Sequence, residues 1–300
     1  MNSYLLTGAT GFLGSEIYQK IKKETLTLGR SPSSDIFFDF GSVVSDFPKV
    51  KMVIHCAGKA HSIPKTEDEK EAFFSMNTKG TSFLLESLEA SMAIPETFVF
   101  ISTVSVYGLE KGLGIKEESP LLGDSPYARS KILAEKMLEE WSNRTGVKLI
   151  ILRLPLIAGN HPPGNLGAMI NAIKKGFYFS LRNNTSKKSI VLAEDVAKLI
   201  PQIHGKCGIF NLTDRIHPSI SEIEQVLSDR FNRSLKSIPF QLVNFMAKVG
   251  DQISFFPVNT NRLEKLTSSL TFDDSKAVTD LNWKPTPVLD FLKNKIDIKK

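Results

Sequence analysis

Tyr127 and Lys131 stand four residues apart in the stretch S-P-Y-A-R-S-K at 125–131. On a helix that spacing puts the phenol and the ammonium on one face. A phenol of pKa about 10 is a poor base at neutral pH. A fixed cation beside it favours the phenolate and makes it usable for proton transfer. The bland alternative is a surface tyrosine and a solvated lysine. Three neighbours in the sequence bear on the choice. Ser102 and Thr103 close a strongly apolar run; a hydroxyl there can hold a reacting oxygen opposite Tyr127, or can simply finish a strand. Asn77, in M-N-T-K-G, falls inside a helical pattern, where asparagine is mildly unfavourable. It is either a surface residue or a polar contact that bends the helix behind a site. Pro126, just before Tyr127, suits the first position of a helix.

A second constellation opens the chain. Tyr4-Leu5-Leu6 runs straight into T-G-A-T-G-F-L-G at 7–14. A strand, a glycine turn and a helix over 15–23 form the arrangement that a pyrophosphate needs. Gly8 permits the tight turn, Gly11 lets the backbone approach the phosphates, and Gly14 lets the helix sit close to the strand. The helix start offers free N–H groups and the positive end of its dipole. The implied ligand is a dinucleotide. His55 and Cys56 invite other chemistry, as a base and a thiol nucleophile. No His, Cys or acid stands at a motif spacing to complete a triad or a metal site, so both are read as structural and no metal is expected.

These residues need a scaffold, and the hydrophobic pattern describes one. Strands are expected at 4–7, 26–28, 53–55, 98–102 and 149–152, alternating with helices at 15–23, 70–90 and 127–144. Gly146 should end the last of these. Such alternation predicts right-handed βαβ crossovers and a parallel sheet, an α/β Rossmann-like doubly wound fold. After residue 154 the pattern loosens. Short strands are expected near 189–192 and 209–212, and helices at 168–175, 193–203, 221–231 and 289–295. We read residues 1–154 as a dinucleotide-binding core and 155–300 as a smaller substrate lobe with segments returning to the core sheet. The lobe would cover the C-terminal edge of the sheet, where open α/β folds bind ligands.

Bulk composition narrows the classes further. At 300 residues, 41% hydrophobic and 23% charged, the chain is an ordinary globule. Two cysteines make no disulfide framework. No apolar stretch reaches spanning length and the first strand leaves no room for a signal peptide, so a cytoplasmic protein with no membrane partner is expected. Residues 291–300 carry four Lys and one Asp, which supplies +3 of the net +6. That is a solvated basic tail without an accompanying nucleic-acid module, so no nucleic-acid partner is expected. The modest positive charge favours an anionic substrate by steering.

In chain order, T-G-A-T-G-F-L-G, Asp39-Phe40, V-I-H-C-A-G at 53–58, N-T-K-G-T at 77–81, F-I-S-T-V-S-V-Y-G at 100–108, S-P-Y-A-R-S-K, L-R-L-P at 152–155 and L-N-W-K-P at 281–285 together resemble the extended short-chain dehydrogenase/reductase family, in particular its NAD(P)-dependent nucleotide-sugar epimerase/dehydratase group. The resemblance covers nearly the whole chain. It implies that Tyr127 is the acid/base, that Lys131 tunes it and binds the nicotinamide ribose, and that Thr103 holds the sugar C4 oxygen. It implies a cofactor site of Gly8, Thr10, Gly11, Phe12, Leu13, Gly14, Ala57, Gly58, Asn77, Ser102 and Leu154, with Asp39 and Phe40 near the adenine. It also implies a homodimer joined through helices 81–90 and 127–144.

The departures from the family pattern carry the finer expectations. The 4,6-dehydratases of the family carry Thr-Asp-Glu where this chain has Thr103-Val104-Ser105. Val104 cannot transfer a proton, so dehydration is not expected. NAD-dependent members often end the second strand with an acid for the ribose 2′-hydroxyl. Gly29 stands there and Arg30 follows, which favours NADP over NAD. Ser105, Asn165 in P-P-G-N-L and Lys188 are the substrate-side candidates, Lys188 as a point charge for a diphosphate. The subgroup most resembled comprises UDP-N-acetylhexosamine 4-epimerases and 4-keto reductases. The alternative from another class is a non-catalytic dinucleotide-binding redox sensor, which needs only the glycine turn.

Overall fold

The computed structural model describes residues 3–60, 62, 64–251 and 259–297; Lys299 and Lys300 of the basic tail lie outside them. Five strands follow the expected runs: β1 (Tyr4–Thr7), β2 (Thr25–Gly29), β4 (Met52–His55), β5 (Thr97–Thr103) and β7 (Lys148–Leu154), with a two-residue β3 (Ile36–Phe37) between β2 and β4. With β11 (Gly208–Asn211) they form a parallel sheet of order β11-β7-β5-β4-β1-β2-β3. Side chains alternate between two cores with the strand period of two. Leu6, Ile54, Val99 and Ile150 face one core. Leu5, Val53, Phe98 and Ile151 face the other. A sheet buried on both faces is why these strands read as continuous apolar runs.

Helices close both faces. On the first side lie α1 (Phe12–Ile21), through Leu13 and Ile17, and α6 (Ala193–Leu199), through Val196. On the second lie α3 (Gly80–Ala90), through Leu84, Leu85 and Leu88, and α4 (Pro126–Thr145), through Ala134, Leu138 and Trp141. α4 runs as expected. Pro126 is its first residue, the Ser125 hydroxyl caps the Ala128 N–H, and Gly146 ends it at φ 76°. α1 departs from expectation by starting at Phe12, so Gly14 lies inside the helix. The expected helix 70–90 begins earlier, as α2 (Glu67–Phe74), capped by Thr66. A π-helical turn, Ser75–Lys79, separates it from α3.

The second half carries β8 (Leu156–Ala158), α5 (Gly164–Lys175), β9 (Phe179–Leu181), β10 (Ile190–Leu192), α7 (Ile220–Phe231), β12 (Lys236–Ile238), α8 (Phe240–Gly250), α9 (Thr260–Thr267), β13 (Leu270–Phe272), α10 (Ser275–Leu281) and α11 (Val288–Asn294). Three two-stranded parallel pairs stand apart from the main sheet: β8 with β10, β9 with β12, and β13 with β6 (Gly112–Ile115). A separate core of Leu166, Ile170, Ile190, Ile223, Leu227 and Phe291 joins α5, β10, α7 and α11.

Candidate active site

The glycine turn and the loop after β4 are built against each other. Gly8 has φ 73°, and a Cβ on it would stand 2.6 Å from the Ala57 nitrogen. A Cβ on Gly14 would stand 2.0 Å from the Gly8 carbonyl oxygen. Neither position accepts a side chain, so the helix meets the turn at backbone distance, as the motif requires. Gly11 is exposed and is the N-cap of α1; no side chain caps this helix and its first turn holds no acid. Uncapped N–H groups at a positive helix end suit a diphosphate. This is an observed fit for the pyrophosphate of a dinucleotide.

His55 locks the floor of that site. The Thr81 hydroxyl donates to the Asn77 carbonyl at 2.7 Å, so it accepts from His55 Nε2 at 2.9 Å. His55 Nδ1 is then the acceptor for the Thr7 hydroxyl at 2.7 Å, and Thr7 Oγ1 accepts the Ala57 N–H at 3.0 Å. Each ring nitrogen has one role, Nε2 as donor and Nδ1 as acceptor, which fixes the neutral ring. Burial, with the nearby Lys131 charge, pushes the His55 pKa down to about 3. Burial likewise pushes the Cys56 thiol up to about 12, which makes it unreactive at neutral pH.

Thr103 ends β5 and Tyr127 lies in the first turn of α4, where the Thr103 side chain is near enough to act on the phenol. Thr103 Oγ1 also accepts the Ser105 N–H at 3.1 Å and donates to Ser105 Oγ at 3.2 Å. The Tyr127 ring packs against Phe73 at 6.0 Å between centroids. Lys131 is buried, donates to the Ile101 carbonyl at 2.7 Å and lies 4.1 Å from the Phe100 ring centroid. The phenol does not move as the sequence spacing suggests. Burial pushes Tyr127 up to about 12, with the Thr103 hydroxyl opposing. Burial pushes Lys131 down to about 8, with Cys56 and Glu135 opposing. Desolvation is the largest cause of both shifts, and with a pKa near 12 the phenol stays protonated at neutral pH.

Several expected site residues are engaged elsewhere. Ser102 donates to Glu135. Lys188 donates to the carbonyls of Lys265 and Ser268, at 2.8 and 2.7 Å, at the C-terminal end of α9. Asn77 is buried in the π turn; its amide donates to the Lys59 carbonyl and Ser130 Oγ and accepts the Lys59 N–H at 2.7 Å. It ties the loop after β4 to α4, the contact behind the site. Leu13, Leu154 and the Phe40 ring are core side chains, leaving their main chains for a ligand. Asp39 is exposed and accepts the Gly41 N–H at 2.8 Å. Thr10, Arg30 and Asn165 are exposed, Arg30 just beyond β2 and Asn165 in the first turn of α5. Gly58 lies against the Asn77 amide, with Lys131 Nζ next nearest.

Sequence reasoning missed the polar cluster beneath these residues. Glu135 and Arg153 form a fully buried ion pair, Nη2 to Oε2 at 2.7 Å. Arg153 Nη1 also donates to the Tyr107 hydroxyl at 3.1 Å and the Glu117 carbonyl at 2.9 Å, and Tyr107 donates to Asn211 at 2.8 Å. The available signal was an arginine inside the apolar run L-I-I-L-R-L, which needs a buried partner.

The family description "NAD dependent epimerase/dehydratase family" matches residues 4–211. The chain belongs to this family. It is 24% identical over 310 residues to a UDP-glucose 4-epimerase of Vibrio cholerae, covering 96% of this chain and 92% of that protein. It is also 24% identical over 217 residues to the N-acetyl-alpha-D-glucosaminyl-diphospho-ditrans,octacis-undecaprenol 4-epimerase of Escherichia coli O157:H7, covering 68% and 65% of the two chains. Among solved structures, UDP-N-acetylglucosamine 4-epimerase from Bacillus cereus superposes with a TM-score of 0.75 at 20% identity, over 98% of this chain and 97% of that one. The chain is thus a nucleotide-sugar epimerase-family enzyme with a Rossmann-like NAD(P)-binding fold.

Proposed function

We propose that the protein catalyses NAD(P)-dependent oxidation and reduction at C4 of a nucleotide-diphosphate sugar, as a 4-epimerase. What supports this reading is that Thr103 at the end of β5 and Tyr127 and Lys131 one turn apart in α4 gather by the Gly58 loop, with Lys131 buried. They sit at the C-terminal edge of the sheet, beside the glycine turn and the Ala57–Gly58 loop. NAD(P), when bound, accepts and returns the C4 hydride. Tyr127 carries the proton of the C4 oxygen, Thr103 hydrogen-bonds that oxygen, and Lys131 stabilises the phenolate side of the exchange. Gly8, Gly11, Gly14, Ala57 and Gly58 would hold the cofactor through main-chain contacts. In this reading residues 1–154 bind the cofactor and 155–300 shape the sugar site. Ser105 and Asn165 are its candidate substrate contacts.

Dehydration has no acid to perform it, since Val104 packs in an apolar cluster with Tyr107 and Phe272, and Ser105 is paired with Thr103. A second reading, a 4-keto-sugar reductase using NADPH, is favoured by the resting protonation of Tyr127 and by Gly29-Arg30. It uses the same three side chains, with Tyr127 as proton donor.

The test is incubation with UDP-, dTDP- and GDP-sugars, and with the polyprenyl-diphosphate sugar that the name of the E. coli relative specifies, with products identified by NMR. Interconversion of C4 epimers with no added reductant supports the epimerase. Consumption of one NADPH per product supports the reductase. In either case Tyr127→Phe should bind cofactor as the parent does and lose turnover by about 100-fold or more. Parental turnover in that variant overturns the acid/base assignment.

A further inference from the structure

Helix α8 has two apolar faces. Val243, Ala247 and Gly250 form one, which packs inward with Leu181 and Leu263. Leu242, Phe245, Met246 and Val249 form the other, at the i, i+3, i+4, i+7 spacing of a continuous stripe. This second stripe is in solvent, with Phe245 66% and Leu242 52% exposed. Phe240, at the start of the helix, extends it. An exposed apolar stripe of this kind on a globular surface marks an interaction site.

The charges around it select the partner. Lys248 lies on α8 beside the stripe, Lys236 on β12 three residues before the Pro239 N-cap, and Arg182 just after β9. Among the described residues none of the three enters an ion pair. The acid at the end of the helix, Asp251, is engaged in accepting the N–H and hydroxyl of Thr260, at 3.0 and 3.1 Å. Phe179, also exposed, pairs in register with Lys236 and so shares its face of the β9–β12 ribbon. The patch therefore combines apolar side chains with a cationic fringe. Two copies meeting through it would bring like charges together, which disfavours self-association. Anionic headgroups beside acyl chains match both parts, with the lysine stems lying along the apolar surface.

We propose that the outer face of α8 docks the protein on the surface of an anionic lipid bilayer. No helix among the described residues is long and apolar enough to cross a membrane, so the attachment is peripheral. The absence of a spanning segment, from which the sequence reading excluded a membrane partner, does not bear on attachment of this kind.

Vesicle flotation tests the proposal without reference to turnover, so it stands or falls independently of the proposed reaction. The full chain should float with vesicles of phosphatidylcholine and phosphatidylglycerol in equal parts and stay unbound with phosphatidylcholine alone. Binding should fall by about tenfold in high salt. The double substitution Leu242→Glu with Phe245→Glu replaces exposed side chains, so its thermal melting should match the parent while its partition falls by about tenfold or more. Lys248→Glu should weaken binding to the mixed vesicles in the same direction. A parent chain that stays unbound with the mixed vesicles overturns the proposal, as does a double variant that floats as well as the parent. A parental dimer dissociated by the double variant assigns the face to a second copy and overturns it too.

Discussion

Lys131 is an ammonium shut away from water, and the pH dependence of the reaction should expose it. Its pKa, pushed down to about 8, is that of a cation disfavoured by burial. The charge is present below about pH 8 and lost as pH rises through that value. Its facing groups do not titrate nearby: His55 is held near 3, and Cys56 and Tyr127 are pushed up to about 12. We therefore predict a kcat/KM that descends above about pH 8. Lys131→Arg, whose guanidinium stays charged, should abolish that limb while lowering the rate. A profile flat to pH 10 would contradict the role given to this cation, a limit set by the ordinary lysine pKa of about 10.4. Glu135, one turn further along α4, is a different kind of residue. Its carboxylate holds both Ser102 and Arg153 out of contact with solvent. Removing it leaves a buried guanidinium uncompensated, so Glu135→Ala should destabilise the fold by about 3–5 kcal/mol in urea unfolding. Replacing Arg153 as well, as Glu135→Ala with Arg153→Met, should recover part of the loss.

The loop after β2 is the element on which the expected preference for NADP rests. Gly29 ends the strand without an acid, and Arg30 is exposed beyond it. The nearby acid, Asp35, is turned back onto Thr27, accepting its N–H at 2.8 Å and its hydroxyl at 2.7 Å. Those bonds hold its pKa below the usual carboxylate value. Asp35 is thus taken up at the strand, and Asp39, exposed two residues past β3, accepts the Gly41 N–H at 2.8 Å. Arg30→Ala should weaken NADP binding by about 10- to 150-fold, the worth of one charge-assisted bond of roughly 1.5–3 kcal/mol, and leave NAD binding unchanged. Calorimetry with both cofactors checks it, and a parent protein that prefers NAD refutes it. This loop was legible because a strand, a glycine and an arginine are a local pattern. The buried strands β1, β4, β5 and β7 were legible for the same reason, as unbroken apolar runs. Of the short pairs β6–β13, β8–β10 and β9–β12, only β10 was expected, near 189–192. Each strand is three or four residues long and is defined by a partner as far as 158 positions away in the Leu270–Gly112 case. The start of α1 was misplaced because glycine is a poor helix former, and the close approach to Gly8 that retains it is tertiary. Tyr127 and Lys131 could be picked out as candidates from type and spacing, and Thr103 as a hydroxyl closing an apolar run. The bonds of Ser102 and Lys188 could not, since each depends on a residue dozens of positions away.

At the scale of the whole molecule, α3 and α4 form a stiff two-helix layer on one face of the sheet. Glu89 of α3 ties them, accepting from Trp141 Nε1 at 2.7 Å and from Arg144 Nη2 at 2.6 Å. Leu84, Leu85 and Leu88 are turned into the core. Phe83 and Met137 are only partly buried, and Leu133 on α4 is 44% exposed. A second copy related by a two-fold axis would cover these remaining side chains with the same side chains of its own helices, a self-complementary contact. The apolar content of that face is modest, and a stable dimer buries roughly 800 Å² per partner. The expected contact is therefore reversible rather than permanent. Sedimentation velocity at micromolar concentration should show monomer and dimer in exchange. Leu133→Glu puts a charge at the centre of the contact and should raise the dissociation constant by at least about tenfold, or about 1.4 kcal/mol. Leu242→Glu on α8 lies outside the layer and should leave the equilibrium unchanged. A parent chain that stays monomeric across that range excludes the four-helix contact, and a dimer indifferent to Leu133→Glu places the contact elsewhere on the molecule.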